Sequence, residues 1–227
     1  MVDFHTHILP GMDDGSKSLR QSLIMLRMER EMGIDTIVLT PHFYARENDP
    51  ARFLERRERA WERLSGHLGP RCPRLLLGAE VLYFDNMDNA EHISSLCIGS
   101  TGVLLLEMPF CPWDERIIRT VLELNGREGI QVVLAHIERY SAFCPGKDTW
   151  AQLRESGILM QVNCSFFSGW LRRKRAMAMM ERGEFHLIGS DCHNLDTRAP
   201  NWPLVPAPAL RLAEKTAATL LGLPPIP

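Results

Sequence analysis

Apolar residues gather in short unbroken runs at about 2 to 5, 35 to 40, 74 to 79, 103 to 107, 131 to 135, 158 to 163 and 186 to 190. Runs of this length, with little polar alternation, predict seven strands buried on both faces. Between them, periodic stretches at about 17 to 32, 50 to 67, 114 to 128, 147 to 156 and 170 to 182 predict helices, with a weaker, shorter one near 86 to 96. A last helix near 207 to 221 precedes the Pro-rich end, Leu223-Pro224-Pro225-Ile226-Pro227. Gly33, Gly129, Gly157 and Gly183 stand where helix C-caps are wanted, each followed within a few residues by a strand. Strict β then α alternation implies a parallel sheet. The predicted fold is α/β, an irregular seven-stranded (β/α)7 TIM-like barrel, with residues 1–227 forming one domain.

The polar residues that interrupt this pattern are not scattered. Acidic and imidazole side chains recur at the ends of the apolar runs, in Asp3-Phe4-His5-Thr6-His7, Thr40-Pro41-His42, Gly78-Ala79-Glu80, Leu106-Glu107, Ala135-His136 and Ser190-Asp191-Cys192-His193. Ligands contributed by first, middle and last strands favour a closed barrel, because an open sheet would hold its edge strands far apart. His5 and His7 are two apart on a strand and share a face, where imidazoles beside carboxylates can bind a borderline divalent metal. His67, His92 and His186 lie elsewhere and are assigned no chemistry. The turn Leu9-Pro10-Gly11-Met12-Asp13-Asp14-Gly15 could swing one carboxylate over the mouth, although Asp-Asp-Gly before a helix is also ordinary capping chemistry.

Composition narrows the setting. A hydrophobic content of 45% over 227 residues supports a substantial core. The net charge of -2 supplies no overall attraction to nucleic acid or anionic membrane, so phosphate recognition must come from local cations. No apolar run approaches the roughly 20 residues needed to span a bilayer, which predicts no membrane insertion. Candidate ligands starting at residue 5 leave no room for a secretory signal. Cys72, Cys97, Cys111, Cys144, Cys164 and Cys192 show no CxxC spacing and read as reduced thiols, predicting a cytoplasmic protein. The charged run 50 to 64 reads as a solvated helix face carrying i,i+4 pairs, with partner docking as the other reading.

The string Asp3-Phe4-His5-Thr6-His7-Ile8-Leu9-Pro10-Gly11-Met12-Asp13-Asp14-Gly15 is the most specific feature of the chain. With Thr40-Pro41-His42, Gly78-Ala79-Glu80, His136-Ile137-Glu138-Arg139-Tyr140 and Ser190-Asp191-Cys192-His193-Asn194-Leu195, it resembles the bacterial manganese-dependent tyrosine-protein phosphatases of the polymerase and histidinol phosphatase (PHP) superfamily. The resemblance implies a trinuclear site. One ion would be held by His5, His7, Glu80 and Asp191, a second by Glu80, Glu107 and His136, and a third by Asp14, His42 and His193. It also implies that Arg139 and Arg198 bind phosphate. Manganese is the metal implied, with Fe, Zn or Co compatible with the same donors. The implied substrate is a phosphotyrosine protein, the tail of a bacterial tyrosine kinase controlling capsular or exopolysaccharide synthesis. Ile137, where the family pattern would have proline, and the segment 162 to 169 depart from that pattern without removing a ligand.

Two rivals keep the same metals or the same residues: hydrolysis of a small ester such as histidinol phosphate or a nucleic acid end, and a noncatalytic phosphoprotein scaffold. A third reads Cys192 and Arg198 as the C-x5-R of cysteine-dependent phosphatases, but the intervening residues contain no glycine to gather backbone N–H groups around an anion. The cluster Arg172, Arg173, Lys174 and Arg175 is either an attractor for an acidic phosphotyrosine tail or a solvated helix turn.

Overall fold

The chain folds as alternating strands and helices, seen in a computed structural model that describes residues 1–224; the end of the Pro-rich terminus, residues 225–227, lies outside the described residues. β1 (Val2–Thr6) leads through α1 (Leu19–Glu31) to β2 (Thr36–Leu39), β3 (His42–Phe43) and α2 (Pro50–Ser65). β4 (Arg74–Leu77) and β5 (Glu80–Leu82) follow, then β6 (Val103–Glu107), α3 (Glu115–Gly126), β7 (Gln131–Leu134) and α4 (Lys147–Glu155). The chain continues through β8 (Leu159–Asn163), α5 (Trp170–Glu181), β9 (Leu187–Gly189) and α6 (Ala207–Leu220). Every ladder is parallel. The weak helix expected near 86 to 96 is instead two 3-10 turns, Met87–Asn89 and Ile93–Leu96, entered through Asn86 in a left-handed conformation (φ 61°).

Among the described residues there are nine strands rather than the seven expected, in a three-stranded sheet of order β1-β2-β4 and a six-stranded sheet of order β3-β5-β6-β7-β8-β9. The difference has a local cause. Pro41 has no N–H to donate, so pairing lapses between β2 and β3, and Gly78-Ala79 marks the matching lapse between β4 and β5. Hydrogen bonds still cross these interruptions, from the Gly78 N–H to Leu39 O (2.9 Å) and from the Glu80 N–H to Pro41 O (3.1 Å). At the other margin, the His7 N–H donates to Cys192 O (3.0 Å) and the Asp191 N–H to His5 O (2.8 Å). First and last strands are thus brought side by side, and the parallel sheet curls.

Alternation along the strands sorts the core into two layers. Leu104, Leu106, Val132, Leu134, Met160 and Val162 pack with helix residues such as Met25, Ile117, Val121 and Met179. Val2, Phe4, Val38, Val103, Leu105, Val133 and Leu187 pack together on the inner side, closed at one end by Ala217 and Leu221. Continuing the inner phase towards the C-terminal strand ends reaches His42 from Val38, Glu80 from Leu76, Glu107 from Leu105, and Asp191 from Leu187. An apolar floor therefore carries a polar mouth. β1 enters differently: its register shifts between Asp3 and Thr6, so His5 and His7 fall out of phase with Val2 and Phe4.

The face of α2 expected to be solvated is only partly so. Arg59 and Glu55 pair on the surface (2.5 Å) as i,i+4 neighbours. Arg56 instead donates to Met12 O (2.8 Å) and Arg57 to Gly78 O (2.8 Å), tying the helix to two loops that carry site residues. At Gly189 a Cβ would lie 2.5 Å from His5 Cβ and 3.1 Å from Gln161 Nε2, so glycine permits the close approach of β1, β8 and β9. Gly189→Ala should overpack this junction, costing roughly 1–3 kcal/mol. Chemical denaturation would register the loss, and an unchanged midpoint would show that the strands have slack.

Candidate metal centre

Glu80, 1% exposed, opens β5 and sits at the middle of the polar mouth. Four imidazoles converge on it: His136 Nε2 lies 2.8 Å from Oε1, while His42 Nδ1, His5 Nε2 and His7 Nε2 lie 3.0, 3.1 and 3.2 Å from Oε2. Glu107, at the end of β6, is 3.5 Å from His136 Nε2 and 4.0 Å from His42 Nδ1. Asp191 is 3.7 Å from His5 Nε2 and 3.5 Å from His7 Nε2. Asp14 is the outlier in exposure, yet its carboxylate reaches within 3.5 Å of His42 Nε2 and 3.3 Å of His193 Nε2. All nine side chains singled out in the sequence thus meet at one mouth, while His67, His92 and His186 join none of its ligand groups.

The donor atoms fit cations rather than one another. His5 directs Nδ1 at Gln161 Oε1 (3.3 Å) and His7 directs Nδ1 at Asp13 Oδ2 (2.7 Å). With those nitrogens donating and both rings neutral, the two Nε2 lone pairs would confront each other at 3.1 Å, an arrangement a cation between them would relieve. His42 Nδ1, Glu80 Oε2, His136 Nδ1 and His193 Nε2 are buried without a directed hydrogen bond, although His42 Nδ1 and Glu80 Oε2 stand only 3.0 Å apart. Four sets of converging donors emerge: His5, His7 and Glu80; His42, Glu80 and Glu107; and His7, Asp14, His42 and His193 at the mouth, with Asp3, Glu29 and Cys192 apart from it, while the expected ligands Asp191 and His136 fall in none of the sets.

Charge balance in the cluster is equally marked. Burial opposes a cationic His7, but the hydrogen bonds it donates to Asp13 and Glu80 push its pKa up to about 10. Burial likewise opposes a cationic His136, which Glu107 and Glu80 raise to about 9. Burial and the neighbouring His7 push His193 down to about 3. Burial disfavours ionised Asp191, yet His5, His7 and Arg139 hold its pKa below the ordinary value; Glu80 is lowered in the same way by its imidazoles. A cation entering would displace protons from His7 and His136.

Three supports were not singled out from the sequence. Asp13 accepts from His7 and also from the backbone N–H groups of His42 (2.9 Å) and Gly15 (2.9 Å). Glycine lets the turn close on His7, since a Cβ at Gly15 would meet His7 O at 2.3 Å. Gln161 Oε1 accepts the His136 backbone N–H (2.8 Å) as well as facing His5, and its amide donates to Asn163 Oδ1 (2.9 Å). Asn163 Nδ2 in turn donates to Asp191 Oδ2 (2.8 Å). The signal was present as two polar residues in phase within the apolar run 158 to 163 and a second acid in the Asp-Asp-Gly turn. Asp3 works from below: its Oδ1 accepts the N–H groups of His5 (3.1 Å) and Ser190 (2.9 Å), holding both ligand segments.

Arg139 and Arg198 stand at the rim and both reach Asp191, Arg139 Nη2 at 2.5 Å from Oδ2 and Arg198 Nη2 at 2.7 Å from Oδ1. Each is about a third exposed, at 37% and 36%, against 3% for Asp191, so both guanidinium groups remain partly open to solvent. His136 (φ 32°) and Asp191 (φ 53°) adopt left-handed conformations, the kind of local strain that persists where surrounding contacts overdetermine a site. Cys192 is fully buried and burial drives its thiol well above the usual range, which removes the cysteine-nucleophile reading.

Fold and site together define an α/β protein whose curled parallel sheet gathers imidazoles and carboxylates into a multidentate cation-binding mouth. A family described as capsular polysaccharide synthesis, CpsB/CapC, matches residues 1–214, and the chain belongs to that family. It is 32% identical over 215 residues to the tyrosine-protein phosphatase CpsB of Streptococcus pneumoniae, covering 88% of this chain and 86% of the relative. Tyrosine-protein phosphatase YwqE of Bacillus subtilis is 28% identical over 204 residues, covering 87% and 79% of the two chains. A crystal structure from work on YwqE and CpsB, described as unique metal-dependent tyrosine phosphatases, superposes with a TM-score of 0.77 at 22% identity. It covers 100% of this chain and 96% of its own, and shows the common fold.

Asp13→Asn should leave the fold intact and weaken metal binding about 10- to 100-fold by loosening His7. Calorimetric titration with manganese or zinc would measure this, and wild-type affinity would show that Asp13 has no orienting role.

Proposed function

We propose that the chain is a metal-dependent protein-tyrosine phosphatase whose substrate is a phosphotyrosine protein, specifically the tail of a tyrosine kinase in capsular or exopolysaccharide synthesis. The observation that carries this reading is the placement of Arg139 and Arg198 on Asp191 at the rim of the donor cluster, within a chain of the CpsB/CapC family. The relatives named as tyrosine-protein phosphatases support the substrate class.

His5, His7, Glu80 and Asp191 would hold one ion, Glu80, Glu107 and His136 a second, and Asp14, His42 and His193 a third. The convergence of His42 on the Glu80–Glu107 pair supports a shared role for that imidazole as well. Manganese is our first assignment, and Fe, Zn or Co would suit the same mixed imidazole and carboxylate donors. Bound divalent ions supply a Lewis acid and a means of activating water near neutral pH. Arg139 and Arg198 would place planar forks of N–H donors on the phosphoryl oxygens, a geometry an ammonium cannot match.

The aromatic walls suit a phenyl ester. Tyr44 stacks on His42 with ring centroids 5.1 Å apart, and Phe110, 50% exposed, lies 6.3 Å from His136. A phenolate of pKa about 10 leaves more easily than a serine alkoxide, so no strong general acid is required. The nine strands are read here as seven staves of a barrel, with β2–β3 and β4–β5 each one interrupted stave, forming a single catalytic domain. Six unpaired cysteines support a cytoplasmic setting, and among the described residues no helix is long and apolar enough to cross a membrane.

The deciding experiment strips the purified protein with a chelator and restores manganese, zinc, iron, cobalt or magnesium one at a time. Phosphate release is followed from a phosphotyrosine peptide, a phosphoserine peptide and histidinol phosphate. Restored activity that prefers phosphotyrosine is expected, whereas exclusive hydrolysis of histidinol phosphate would reassign the substrate. Glu80→Ala should abolish turnover and lower metal content together, while Arg139→Ala should retain metal and lose about 100-fold in kcat/KM. Full metal occupancy and near-normal activity in Glu80→Ala would remove the proposed bridge.

A further inference from the structure

Beside the metal mouth lies a second concavity that the phosphotyrosine reading does not use. It has a volume of about 480 Å³ and is lined by Glu138, Arg139, Ser165, Phe166, Leu171, Arg172 and Arg175. Arg139 belongs to both places, since its guanidinium also touches Asp191. A ligand spanning the two would pass directly from one to the other.

The charge of this cavity is one-sided. Three arginines line it against one carboxylate, and that carboxylate is turned inward, where Glu138 Oε1 accepts the Asn163 N–H (3.2 Å). Arg175 lies over the Phe166 ring, 5.8 Å from its centroid, which positions the cation without neutralising it. Arg173, one position along, is occupied elsewhere by donating to Leu204 O (2.9 Å).

The helix carrying these residues shows why they are not explained by stability. α5 begins with Trp170-Leu171-Arg172-Arg173-Lys174-Arg175, has no acidic residue in its first turn, and has no side-chain cap at Gly169. Cations at a helix N-terminus oppose the macrodipole, so folding alone would favour acids there. Trp170 and Leu171 are each 72% exposed, leaving large apolar surfaces beside the cations. Arg173 and Arg175 find internal contacts at Leu204 O and the Phe166 ring, and Lys174 lies over the Trp170 ring, whereas the exposed Leu171 beside Arg172 points to an external partner.

We infer that this cavity is a second subsite for the substrate peptide, taking the carboxylate of an acidic side chain close in sequence to the phosphotyrosine. The inference rests on the phosphatase reading above and deepens it. Arg172 and Arg175 receive the carboxylate, while Leu171 and Trp170 cover the apolar part of the neighbouring peptide. Arg139 marks the boundary between the two anions. Selectivity then comes from charge next to the reacting group, in a protein whose overall charge is -2 and attracts no anion by itself.

The test compares the manganese-loaded protein on two phosphotyrosine peptides, one flanked by glutamates and one with those positions alanine. Wild type should prefer the acidic peptide about tenfold in kcat/KM, the gain shrinking in high salt. In Arg172→Ala/Arg175→Ala the ratio should fall to near one, and in Arg172→Glu/Arg175→Glu it should invert in favour of a lysine-flanked peptide. Melting curves identify any variant that fails to fold, and the inverted preference is a result misfolding cannot produce. Equal preference in wild type and the folded variants overturns the subsite. If neither peptide is hydrolysed with any metal, the phosphatase reading falls separately. Fluorescence polarisation with the labelled acidic peptide then judges the subsite: salt-sensitive binding lost in the charge-reversed variant sustains it, and binding indifferent to the reversal refutes it.

Discussion

Four imidazoles crowd within 3.2 Å of one buried carboxylate, three of them on a single oxygen with two lone pairs to offer, and the architecture is arranged around that constraint at Glu80. Bringing several ionisable groups out of water is costly unless each finds an opposite charge or a cation. The mouth meets this requirement by interleaving carboxylates with imidazoles. It directs the unused nitrogen of His5, His7 and His193 outward to Gln161, Asp13 and the Asp191 carbonyl respectively. Tautomer and ring orientation are thereby set before any ligand arrives.

That preorganisation depends on strand ends that are otherwise ordinary. The apolar floor of the sheet fixes the phase of each strand, and the same phase carried one or two residues further delivers a polar side chain to the mouth. Where phase alone would fail, the backbone is distorted: a register shift in β1 delivers His5 and His7, and left-handed residues re-aim His136 and Asp191. Asp3 binds the N–H groups of His5 and Ser190 together, so the first and last strands meet at a defined offset. Its neighbour Glu29, on α1, shares the Trp202 indole N–H, and burial raises both carboxyls so that protonation can lessen their mutual repulsion.

The rim inverts the chemistry of the centre. Inside, imidazoles interleave with carboxylates; outside, Arg139 and Arg198, and beyond them the basic residues of α5, present cationic groups. Asp191 joins the two zones, because one carboxylate faces the histidines and holds both rim arginines. A phosphate ester brought between them would meet positive charge on both sides, with Tyr44 and Phe110 flanking the route.

Much of this was legible in the chain. Unbroken apolar runs located every principal strand within a residue or two, because burial on both faces leaves no room for polar alternation. Eight of the nine candidate side chains stood out as imidazoles and carboxylates at or just after strand ends, whereas Asp14, in a turn, and the grouping into three sites came from the family resemblance. The strand count was not legible, since the lapse at Pro41 depends on which neighbour needed its missing N–H. Nor were Asp13, Gln161 and Asn163, whose side chains gain meaning only from atoms far away in sequence, Gln161 from His5 and His136 and Asn163 from Asp191. The sequence by itself therefore determined the elements and the chemical inventory, which are local properties of residue type and spacing. Only the tertiary structure decided which donors confront one another, which arginine reaches Asp191 and which charges line the second cavity, because those depend on the curl that brings residue 5 beside residue 191.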